Sequence, residues 1–422
     1  MNNTPNKVDS DNPGQPQTAA RPYDLVVYGA AGFVGRLLAH YIHQRAQQIP
    51  NLRWAIAGRS MAKLEAVKLT LGAPELPVII ADAADPAALR VMAAQTKVIA
   101  STVGPYALYG SELVAACAEC GTDYCDLTGE VPWMRRMIDA HSATAQRSGA
   151  RIVHTCGFDS IPSDMGVWYT QQQAQRRFGT HCTQIKFRLK SVRGGFSGGT
   201  VASLLNVMKE SNVNPALRHL LRNPYALAPN TDAAPQQDSF LPEFDTDAKQ
   251  WQAPFIMSVI NTRVVHRTHA LLGRPWGKQF RYDEAMLTGR GLPGRLAAYA
   301  VSGGFATLLG LTAFRFSRPL VEKLLPAPGE GPSEKLITTG FYDVRLFGRT
   351  ANGQKLQTKL TGKQDPGYGA TSKMLGESAL CLAFDISREK VPGGFWTPAT
   401  AMGDALLQRL EQFAGMHFEC VG

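Results

Sequence analysis

The chain has 422 residues, of which 44% are hydrophobic and 18% are charged, and its formal net charge is +10. This length is enough for two domains with sizeable cores, and the low charged fraction suggests much buried surface or some surface that faces lipid or an apolar ligand. The positive charge suits phosphorylated ligands or anionic membranes, but no Lys/Arg run is interleaved with aromatic residues, which argues against nucleic-acid binding. Seven irregularly spaced cysteines form neither a zinc pattern nor a disulfide framework, so we expect no metal site and a reducing, cytoplasmic compartment.

The first segment, 1–21, is rich in Asn, Pro, Gln, Asp and Thr and is predicted to be a disordered tail without a secretion signal. From 22 to about 165, short β-rich runs alternate with helical patterns. Such alternation predicts a parallel sheet with helices on both faces, and we assign 22–165 to a Rossmann-type, doubly wound α/β domain. Its six predicted strands are 24–28, 52–57, 78–81, 98–103, 123–127 and 151–155.

A glycine-rich turn lies between the first predicted strand and the first predicted helix. Gly29 would permit the tight turn, Gly32 the close approach of a pyrophosphate, and Gly35 close packing of helix on strand. The helix N-terminus then presents unpaired N–H groups to the phosphates. The alternative is a tight turn that binds nothing. The predicted dinucleotide contacts in this turn are Gly29, Ala31, Gly32, Phe33, Val34 and Gly35.

The type of dinucleotide is read at the end of the second predicted strand, where an NAD enzyme usually carries Asp or Glu. This chain has Arg59 and Ser60 there, with Lys63 one helical turn later. A guanidinium pairs well with a 2′-phosphate, so the sequence predicts NADP(H). Asp82, after the third strand, is placed to touch the adenine side, while its neighbour Asp85 is explained equally well as a helix cap.

Three loops at the carboxyl ends of later strands combine glycine with polar or aromatic residues. In the first loop, Val103, Gly104 and Pro105 are predicted to shape the cofactor side, although turn chemistry is the alternative. Tyr106 and Tyr109 are the candidate proton donors of catalysis, with aromatic packing as their alternative. In the last loop, functional and helix-capping roles remain equally open for Asp159 and Ser160.

Together these loops resemble the saccharopine dehydrogenase-like oxidoreductases, a family that includes the mycobacterial trans-acting enoyl reductases. The resemblance covers residues 22 to about 395. It implies an NADP-binding domain followed by a mixed α+β domain and, in the enoyl reductases, reduction of a lipid-linked double bond. The true saccharopine dehydrogenases act on amino acids and are more distant, so their catalytic residues are not transferred. The motifs that carry the resemblance are 103–106, 109–110, 126–130, 157–164, 198–203, 330–334, 367–369 and 377–380.

The second half of the chain lacks the β/α alternation. Residues 166–375 are assigned to an α+β substrate and dimerisation domain with an antiparallel sheet. A period-two run at 185–190 predicts a strand, and a turn at 351–354 predicts a hairpin between 342–347 and 355–360. Residues 376–422 are predicted to form helices that pack back on the Rossmann domain, and the protein is predicted to be a homodimer. We also expect a helix over 201–208 and a long surface excursion over 223–255.

An apolar segment, 296–314, contains no charged residue and is bounded by Arg295 and Arg315. Three interpretations stay open: a buried helix pair, a monotopic membrane hairpin, and a full membrane span. The basic residues Arg295, Arg315, Arg318 and Lys323 would suit anionic lipid. Peripheral contact with the inner face of a membrane is therefore one expectation.

The combined hypothesis is an NADPH-dependent oxidoreductase that reduces an enoyl or carbonyl group of an apolar, lipid-linked substrate. Because no Ser-x-x-x-Lys or Tyr-x-x-x-Lys set is evident, a non-catalytic NADP(H)-binding sensor or scaffold at a membrane is the alternative. An amino-acid dehydrogenase of the saccharopine type is the third hypothesis. It would need a polar, Arg-rich pocket, and the apolar second half argues against it.

Overall fold

In a computed structural model of the chain, the described residues are 21–194, 214–229, 241–313 and 333–421, with a few positions between 203 and 236. The predicted disordered tail lies outside them apart from Arg21. The guanidinium of Arg21 donates to Thr122 Oγ1 (2.8 Å) and Cys120 O (2.6 Å), so this residue belongs to the fold and not to the tail. Most of the predicted helix 201–208 also lies outside the described residues.

The six predicted strands of the first half are confirmed and form a parallel sheet, sheet A, which a seventh strand extends. Several are continuous apolar runs buried on both faces, as parallel strands between helix layers should be. The strands are β1 (Tyr23–Tyr28), β2 (Trp54–Gly58), β3 (Val78–Ile80), β4 (Thr96–Ser101), β5 (Asp123–Asp126) and β6 (Arg151–Val153). The helices between and after them are α1 (Phe33–Ala46), α2 (Met61–Leu71), α3 (Pro86–Ala94), α4 (Tyr106–Tyr109), α5 (Ser111–Cys120), α6 (Val131–Ser148) and α7 (Ile161–Phe178).

A second sheet, sheet B, follows. Its strands are β7 (Cys182–Arg193), β8 (Glu243–Asp245), β9 (Gln250–Pro254), β10 (Arg281–Gly289), β11 (Phe341–Thr350) and β12 (Lys355–Lys363). The helices of this part are α8 (Pro215–Arg222), α9 (Ser258–Leu271), α10 (Gly291–Ala313) and α11 (Glu334–Thr339). The predicted strand at 185–190 and the predicted hairpin are confirmed as β7 and the β11–β12 pair. The sheet is mixed and not purely antiparallel, because β10 runs parallel to β7.

The prediction of a surface excursion over 223–255 is wrong for its second part. Strands β8 and β9 form a hairpin there, and β9 pairs with β10. Ala253 on β9 is buried, as are Ala226 and Leu227 earlier in the same stretch. The Pro, Asp and Gln content of this stretch did not predict the short strand β9, whose last three residues are buried.

The C-terminal part contributes to both sheets. After a π-helical turn (Pro366–Ala370) come α12 (Thr371–Phe384), β13 (Gly394–Trp396), α13 (Pro398–Gln412) and β14 (Met416–Cys420). Strand β13 pairs with β6 as the seventh strand of sheet A, and β14 pairs with β12 at the edge of sheet B. Helix α12 lies against α1 and sheet A. Its buried Glu377 accepts a hydrogen bond from Tyr41 (2.6 Å) and forms ion pairs with Arg45 (2.8 Å) and Arg409 (2.8 Å).

The order of sheet A is β13-β6-β5-β4-β1-β2-β3, and that of sheet B is β14-β12-β11-β7-β10-β9-β8. One apolar core covers a single face of sheet A and continues onto sheet B through residues such as Phe187 and Leu346. A second core, which includes Val26 and Ile99, covers the other face of sheet A. The two sheets therefore share one core.

Helix α10 contains most of the apolar segment 296–314. Its residues 292–301 are exposed at most positions, which contradicts the interpretation as a buried helix pair for this part. Among the described residues, no helix combines the length and the apolar character that crossing a membrane requires. The continuation of the segment beyond Ala313 lies outside the described residues.

Candidate dinucleotide and catalytic site

The glycine turn has the geometry that a pyrophosphate site requires. Gly29 has a φ of +84°, a conformation that side chains with a Cβ rarely adopt. A Cβ placed at Gly35 would lie 2.0 Å from Gly29 O, so only glycine allows α1 to approach the turn this closely. Helix α1 has no side-chain cap at Gly32 and no acidic residue in its first turn, which leaves its N-terminal amides available to an anion. Ala31 and Val34 lie in the same turn, half-buried.

The adenosine side is defined by the carboxyl ends of β2 and β3. Arg59 and Lys63 are exposed, and no ion pair within the described ranges engages either of them. Asp82 and Arg59 both lie near Tyr28, whose pKa is raised to about 12, first by burial and then by Asp82. Asp82 Oδ1 accepts a hydrogen bond from Ala84 N (2.9 Å), so its side chain also stabilises its own turn.

The neighbouring polar residues at this edge are placed as follows. Asp85 caps α3, accepting from Ala87 N (3.0 Å) and Ala88 N (3.1 Å). Ser60 precedes α2 and makes no side-chain cap bond. The first turn of α2 contains no acidic residue, so Arg59, Ser60 and the helix N-terminus together form a surface suited to a phosphate.

We expect Arg59→Ala to weaken NADPH binding about 10- to 100-fold, because a lost charge-assisted hydrogen bond costs about 1.5–3 kcal/mol. Affinity for NADH should change by less than about twofold, since NADH has no 2′-phosphate for this guanidinium. Titration calorimetry with both cofactors checks this. The matched control is Arg90→Ala on α3, where the exposed arginine pairs with Glu119. An equal loss for NADPH and NADH would place Arg59 away from the 2′-phosphate.

The loop after β4 lies against the glycine turn. Thr102 Oγ1 donates to Tyr28 O (3.1 Å), and Val103 Cγ2 would lie 2.6 Å from a Cβ placed at Gly29. The peptide bond between Gly104 and Pro105 is cis. The loop that contains Val103, Gly104 and Pro105 therefore lies beside the glycine turn. This position is the one that shaping the cofactor side would require, and that role stays a prediction.

The two candidate tyrosines have different surroundings. Tyr106 is buried, its hydroxyl donates to Ser101 O (3.0 Å) and accepts from Leu127 N (3.1 Å), and its ring packs on Trp133. Burial raises the pKa of Tyr106 well above its usual value. This geometry favours the packing alternative for Tyr106. Tyr109 is exposed at the end of α4, and its role as proton donor stays a prediction.

Glu130 organises the start of α4. Its carboxylate accepts from Tyr106 N (2.7 Å), Ala107 N (2.9 Å) and Ser203 Oγ (2.7 Å), and burial raises its pKa. Because acceptors at a helix N-terminus satisfy amides that have no partner in the helix, Glu130 fixes the loop after β4 to the loop after β5.

Asp126 joins the loops after β5 and β6. It accepts from Thr128 N (3.0 Å) and Thr155 N (3.1 Å), and its other oxygen lies 2.7 Å from His154 Nδ1. Thr155 has a φ of +62°, which is costly for a β-branched residue, so these contacts hold a strained backbone in place. Asp126 therefore holds the two loops together.

Asp159 lies in a different environment at the same edge of sheet A. It is half-buried, and within the described residues its carboxyl group has neither a hydrogen-bond donor nor an ion-pair partner. A Cβ placed at Gly129 would lie 4.0 Å from Asp159 Oδ2 and 2.8 Å from Ile260 Cδ1, so the carboxyl group lies beside the loop after β5, which also meets helix α9. Burial raises the pKa of Asp159 to about 7. A proton donor can use this property near neutral pH.

A buried polar network lies behind Asp159. Ser160 Oγ donates to Asn261 Oδ1 (2.9 Å), Asn261 Nδ2 donates to Glu284 Oε2 (2.9 Å), and Tyr282 OH donates to Glu284 Oε1 (2.6 Å). Burial raises the pKa of Glu284 to about 7. The Ser160 side chain is therefore used to join α7, α9 and β10 and does not cap its own helix.

Residues from the distant part of the chain also lie at this edge of sheet A, and we call the region along the edge the cleft. Phe158 N donates to Thr371 Oγ1 (2.9 Å), and the Phe158 ring meets the ring of Tyr342 with centroids 4.8 Å apart. Phe33 of the glycine turn meets Tyr368 edge-on at 4.8 Å. Thr371 and Tyr368 were not among the site residues predicted from the sequence. The motif 367–369 was the available signal, but only folding shows that it reaches the cofactor side.

No group of three or more His, Cys, Asp or Glu side chains within the described ranges could hold a metal ion.

Comparison with known proteins identifies the family. Residues 25–153 match the model of the saccharopine dehydrogenase NADP binding domain. A trans-acting enoyl reductase of Mycobacterium ulcerans is 40% identical over 409 residues, which are 94% of this chain and 97% of that protein. A Mycobacterium tuberculosis protein provisionally named a trans-acting enoyl reductase is 41% identical over 407 residues, covering 92% of this chain and 96% of its own.

Solved structures agree on the fold. Saccharopine dehydrogenase (L-Glu forming) from Saccharomyces cerevisiae superposes with a TM-score of 0.52 at 14% identity, over 95% of this chain and 100% of that one. The predicted α/β architecture with a following mixed domain is thus confirmed. The predicted cofactor, NADP(H), is also confirmed, and the protein is an NADP-dependent oxidoreductase. The chain belongs to the saccharopine dehydrogenase-like family that includes the mycobacterial trans-acting enoyl reductases.

Proposed function

We propose that the protein reduces the carbon–carbon double bond of an enoyl group carried by an apolar, lipid-linked substrate. The observation that carries this proposal is Asp159, a half-buried carboxyl group beside the loop after β5 at the carboxyl edge of sheet A. Burial raises its pKa, and no charged group among the described residues contributes to the shift. The names of the relatives at about 40% identity point to the same reaction.

Different residues of the cleft would bind the cofactor and donate the proton. The turn at Gly29 and the surface at Arg59 would hold the pyrophosphate and the 2′-phosphate of NADPH. When bound, NADPH supplies a hydride equivalent to the substrate. Saturation of the double bond also requires one proton at the carbon next to the carbonyl, and the Asp159 carboxyl group would donate it. Because Asp159 keeps part of its surface accessible, its carboxylate would regain a proton from solvent after each turnover.

The surroundings of Asp159 favour an apolar substrate over an amino acid. Three partly buried hydrophobic residues lie around the loops that carry it: Phe158 precedes it in the chain, Leu127 lies beside Gly157, and Ile260 lies beside Gly129. A free amino acid carries a carboxylate and an ammonium group, which require charged partners when they leave water. The carboxyl group of Asp159 has no arginine or lysine partner within the described residues. An acyl chain would need no such partner.

The proposal is tested by following NADPH oxidation by the purified protein with enoyl thioesters of short, medium and long acyl chains. We expect turnover, with kcat/KM rising with chain length as more apolar surface is buried. Saccharopine and pairs of amino acid and 2-oxo acid serve as the comparison substrates. Oxidation only with the amino-acid substrates would support the saccharopine-type alternative. NADPH binding without turnover on either set would support the sensor alternative.

We also propose that the protein acts as a homodimer through sheet B. Strands β11 and β12 bury alternate residues on the core side and leave the opposite face half-exposed. That face carries charged residues such as Arg345 and Lys359, which pair with Asp343 and Glu419. Light scattering coupled to size exclusion gives the mass in solution, and a monomeric mass at micromolar concentration would remove this proposal.

A further inference from the structure

Helix α10 has an unusual distribution of exposed residues. Its inner side is anchored by the buried Gly294 and Ala298, and Thr288 Oγ1 donates to Gly294 O (2.9 Å). A Cβ placed at Gly294 would lie 2.4 Å from Gly289 O, so the helix begins in close contact with the end of β10. The first turns of α10 are therefore firmly seated on sheet B.

The outer side of α10 is apolar where a surface helix is normally polar. Leu292, Leu296 and Tyr299 lie at helical spacing on one side and are 65%, 61% and 52% exposed. No charged residue occurs from Leu296 to Ala313. Exposed apolar surface of this kind marks an interaction site in most soluble proteins.

The exposed surface continues onto the β8–β9 hairpin. The Arg295 guanidinium lies 5.3 Å from the Trp251 ring and 5.9 Å from the Tyr299 ring, and Trp251 in turn meets Phe244 edge-on at 5.9 Å. Phe244 is 44% exposed, and the nearby Leu241 is 76% exposed. We call this surface the apolar ridge, and it consists of Leu241, Phe244, Trp251, Leu292, Leu296 and Tyr299.

The charges and aromatic residues around the apolar ridge suit a bilayer surface. Arg290 and Arg295 are exposed at the start of α10, and no Asp or Glu occurs between Ala285 and Ala313. Glu243, beside Phe244, adds one negative charge and lies 3.4 Å from Gln252 Nε2. Trp and Tyr with adjacent Arg are typical of the membrane–water interface, and basic residues there are attracted to anionic headgroups.

A second copy of the chain fits this surface less well. In a twofold-symmetric contact through the apolar ridge, the same patch would face itself. Arg290 and Arg295 of the two copies would then approach each other near the contact, and like charges at an interface oppose association.

We propose that the apolar ridge docks the protein peripherally on a bilayer that contains anionic lipids. Leu292, Leu296 and Tyr299 would enter the interfacial layer, while Arg290 and Arg295 would contact headgroups. Glu284, behind the cleft, lies on the same strand that leads into α10, five residues before Gly289. At about 3.3 Å per residue this separation is about 17 Å, so the polar network behind the cleft lies about 17 Å along β10 from the start of α10. The docking does not depend on the proposed reaction, since the ridge lies outside the cleft.

Sedimentation of the full-length protein with vesicles tests the proposal. We expect binding to vesicles of phosphatidylcholine with phosphatidylglycerol and much weaker binding to phosphatidylcholine alone. The double variant Leu292→Glu/Leu296→Glu should lower the bound fraction at least about tenfold, because burial of even one leucine is worth more than a factor of ten. Arg290→Gln/Arg295→Gln should remove most of the preference for the anionic vesicles.

The matched control is Leu69→Glu, which places the same change at a leucine 79% exposed on α2. It should bind vesicles as the unmodified protein does. NADPH binding should be unchanged in every variant, which shows that each is folded. Equal vesicle binding by the ridge variant and the unmodified protein would overturn the proposal. A second result would also overturn it: the unmodified protein self-associates, the ridge variant does not, and neither protein binds vesicles. A second copy of the chain would then be the occupant of the apolar ridge.

Discussion

Replacement of Asp159 by asparagine is expected to lower kcat for enoyl reduction about 10²- to 10⁴-fold, the usual contribution of a general acid. Asparagine has nearly the same shape but cannot donate a carboxyl proton. Because Asp159 has no hydrogen-bond donor within the described residues, the exchange should leave the loop after β6 in place. Affinity for NADPH should therefore change by less than about twofold, and the loss should appear in kcat. Stopped-flow measurement of NADPH oxidation with the best enoyl thioester gives the value.

The pH dependence of this reaction follows from the same group. Burial raises the pKa of Asp159 from 3.8 to about 7, and only the protonated form can donate. The rate of enoyl reduction should be highest below pH 7 and fall as the pH rises through that value. The same raised pKa means that the folded state favours the protonated form. The contribution of Asp159 to the free energy of unfolding is therefore full at pH values below its pKa in the unfolded chain. This contribution declines as the pH rises from about 4 through 7.

The control for Asp159 is Asp139→Asn on α6, where an exposed carboxylate pairs with Arg135. This variant should keep both the rate and the pH profile of the unmodified protein. If Asp159→Asn retained full turnover, the proton would come from another group, with Tyr109 as the next candidate. Such a result would leave the proposed reaction intact, because the enoyl substrate would still be reduced.

Replacement of Glu377 by alanine should lower the free energy of unfolding by about 3–5 kcal/mol, the usual cost of removing one partner from a buried ion pair. The Glu377 carboxylate is fully buried and serves Arg45, Arg409 and Tyr41. Arg45 is itself almost completely buried, so the variant would leave a guanidinium charge in the core. Urea unfolding of the protein without cofactor measures the change.

A surface pair provides the comparison for Glu377. Glu65 on α2 lies 3.1 Å from Lys68, and it is about half exposed. Glu65→Ala should change the free energy of unfolding by less than about 1 kcal/mol, because water solvates both charges once they separate. A loss below about 1 kcal/mol for Glu377→Ala would mean that α12 relaxes or that water enters to solvate Arg45.

The first half of the fold was predictable because its signals are local. Each strand of sheet A from β1 to β6 is a short β-rich run followed by a helical pattern. Strand β13 has only three residues, Gly394-Phe395-Trp396, and it pairs with β6, more than 230 residues earlier in the chain. The strand β9 was missed for a related reason, since Gln250–Pro254 becomes a strand through pairing with β10.

The candidate site likewise has one part that local sequence signals predict and another part that they do not. The glycine turn and Arg59 follow strands directly, so the sequence alone predicts that they lie at the cofactor side. The environment of Asp159 includes Gly129, which is 30 residues earlier in the sequence, and no local pattern predicts that approach. The sequence also could not predict whether Tyr106 is a proton donor or a packing residue, because only the folded chain brings its hydroxyl to Ser101 O and Leu127 N.

The course of the C-terminal part has a consequence for how the protein is made. Tyr368 and Thr371 reach the cofactor side only after the chain has passed residue 365, and β13 and β14 are the edge strands that finish the two sheets. During synthesis the glycine turn and the first six strands leave the ribosome long before their partners. Until then, the part of sheet A that α12 covers and the edge beside β6 stay exposed, and a chain that stops before residue 394 would keep both sheets unfinished.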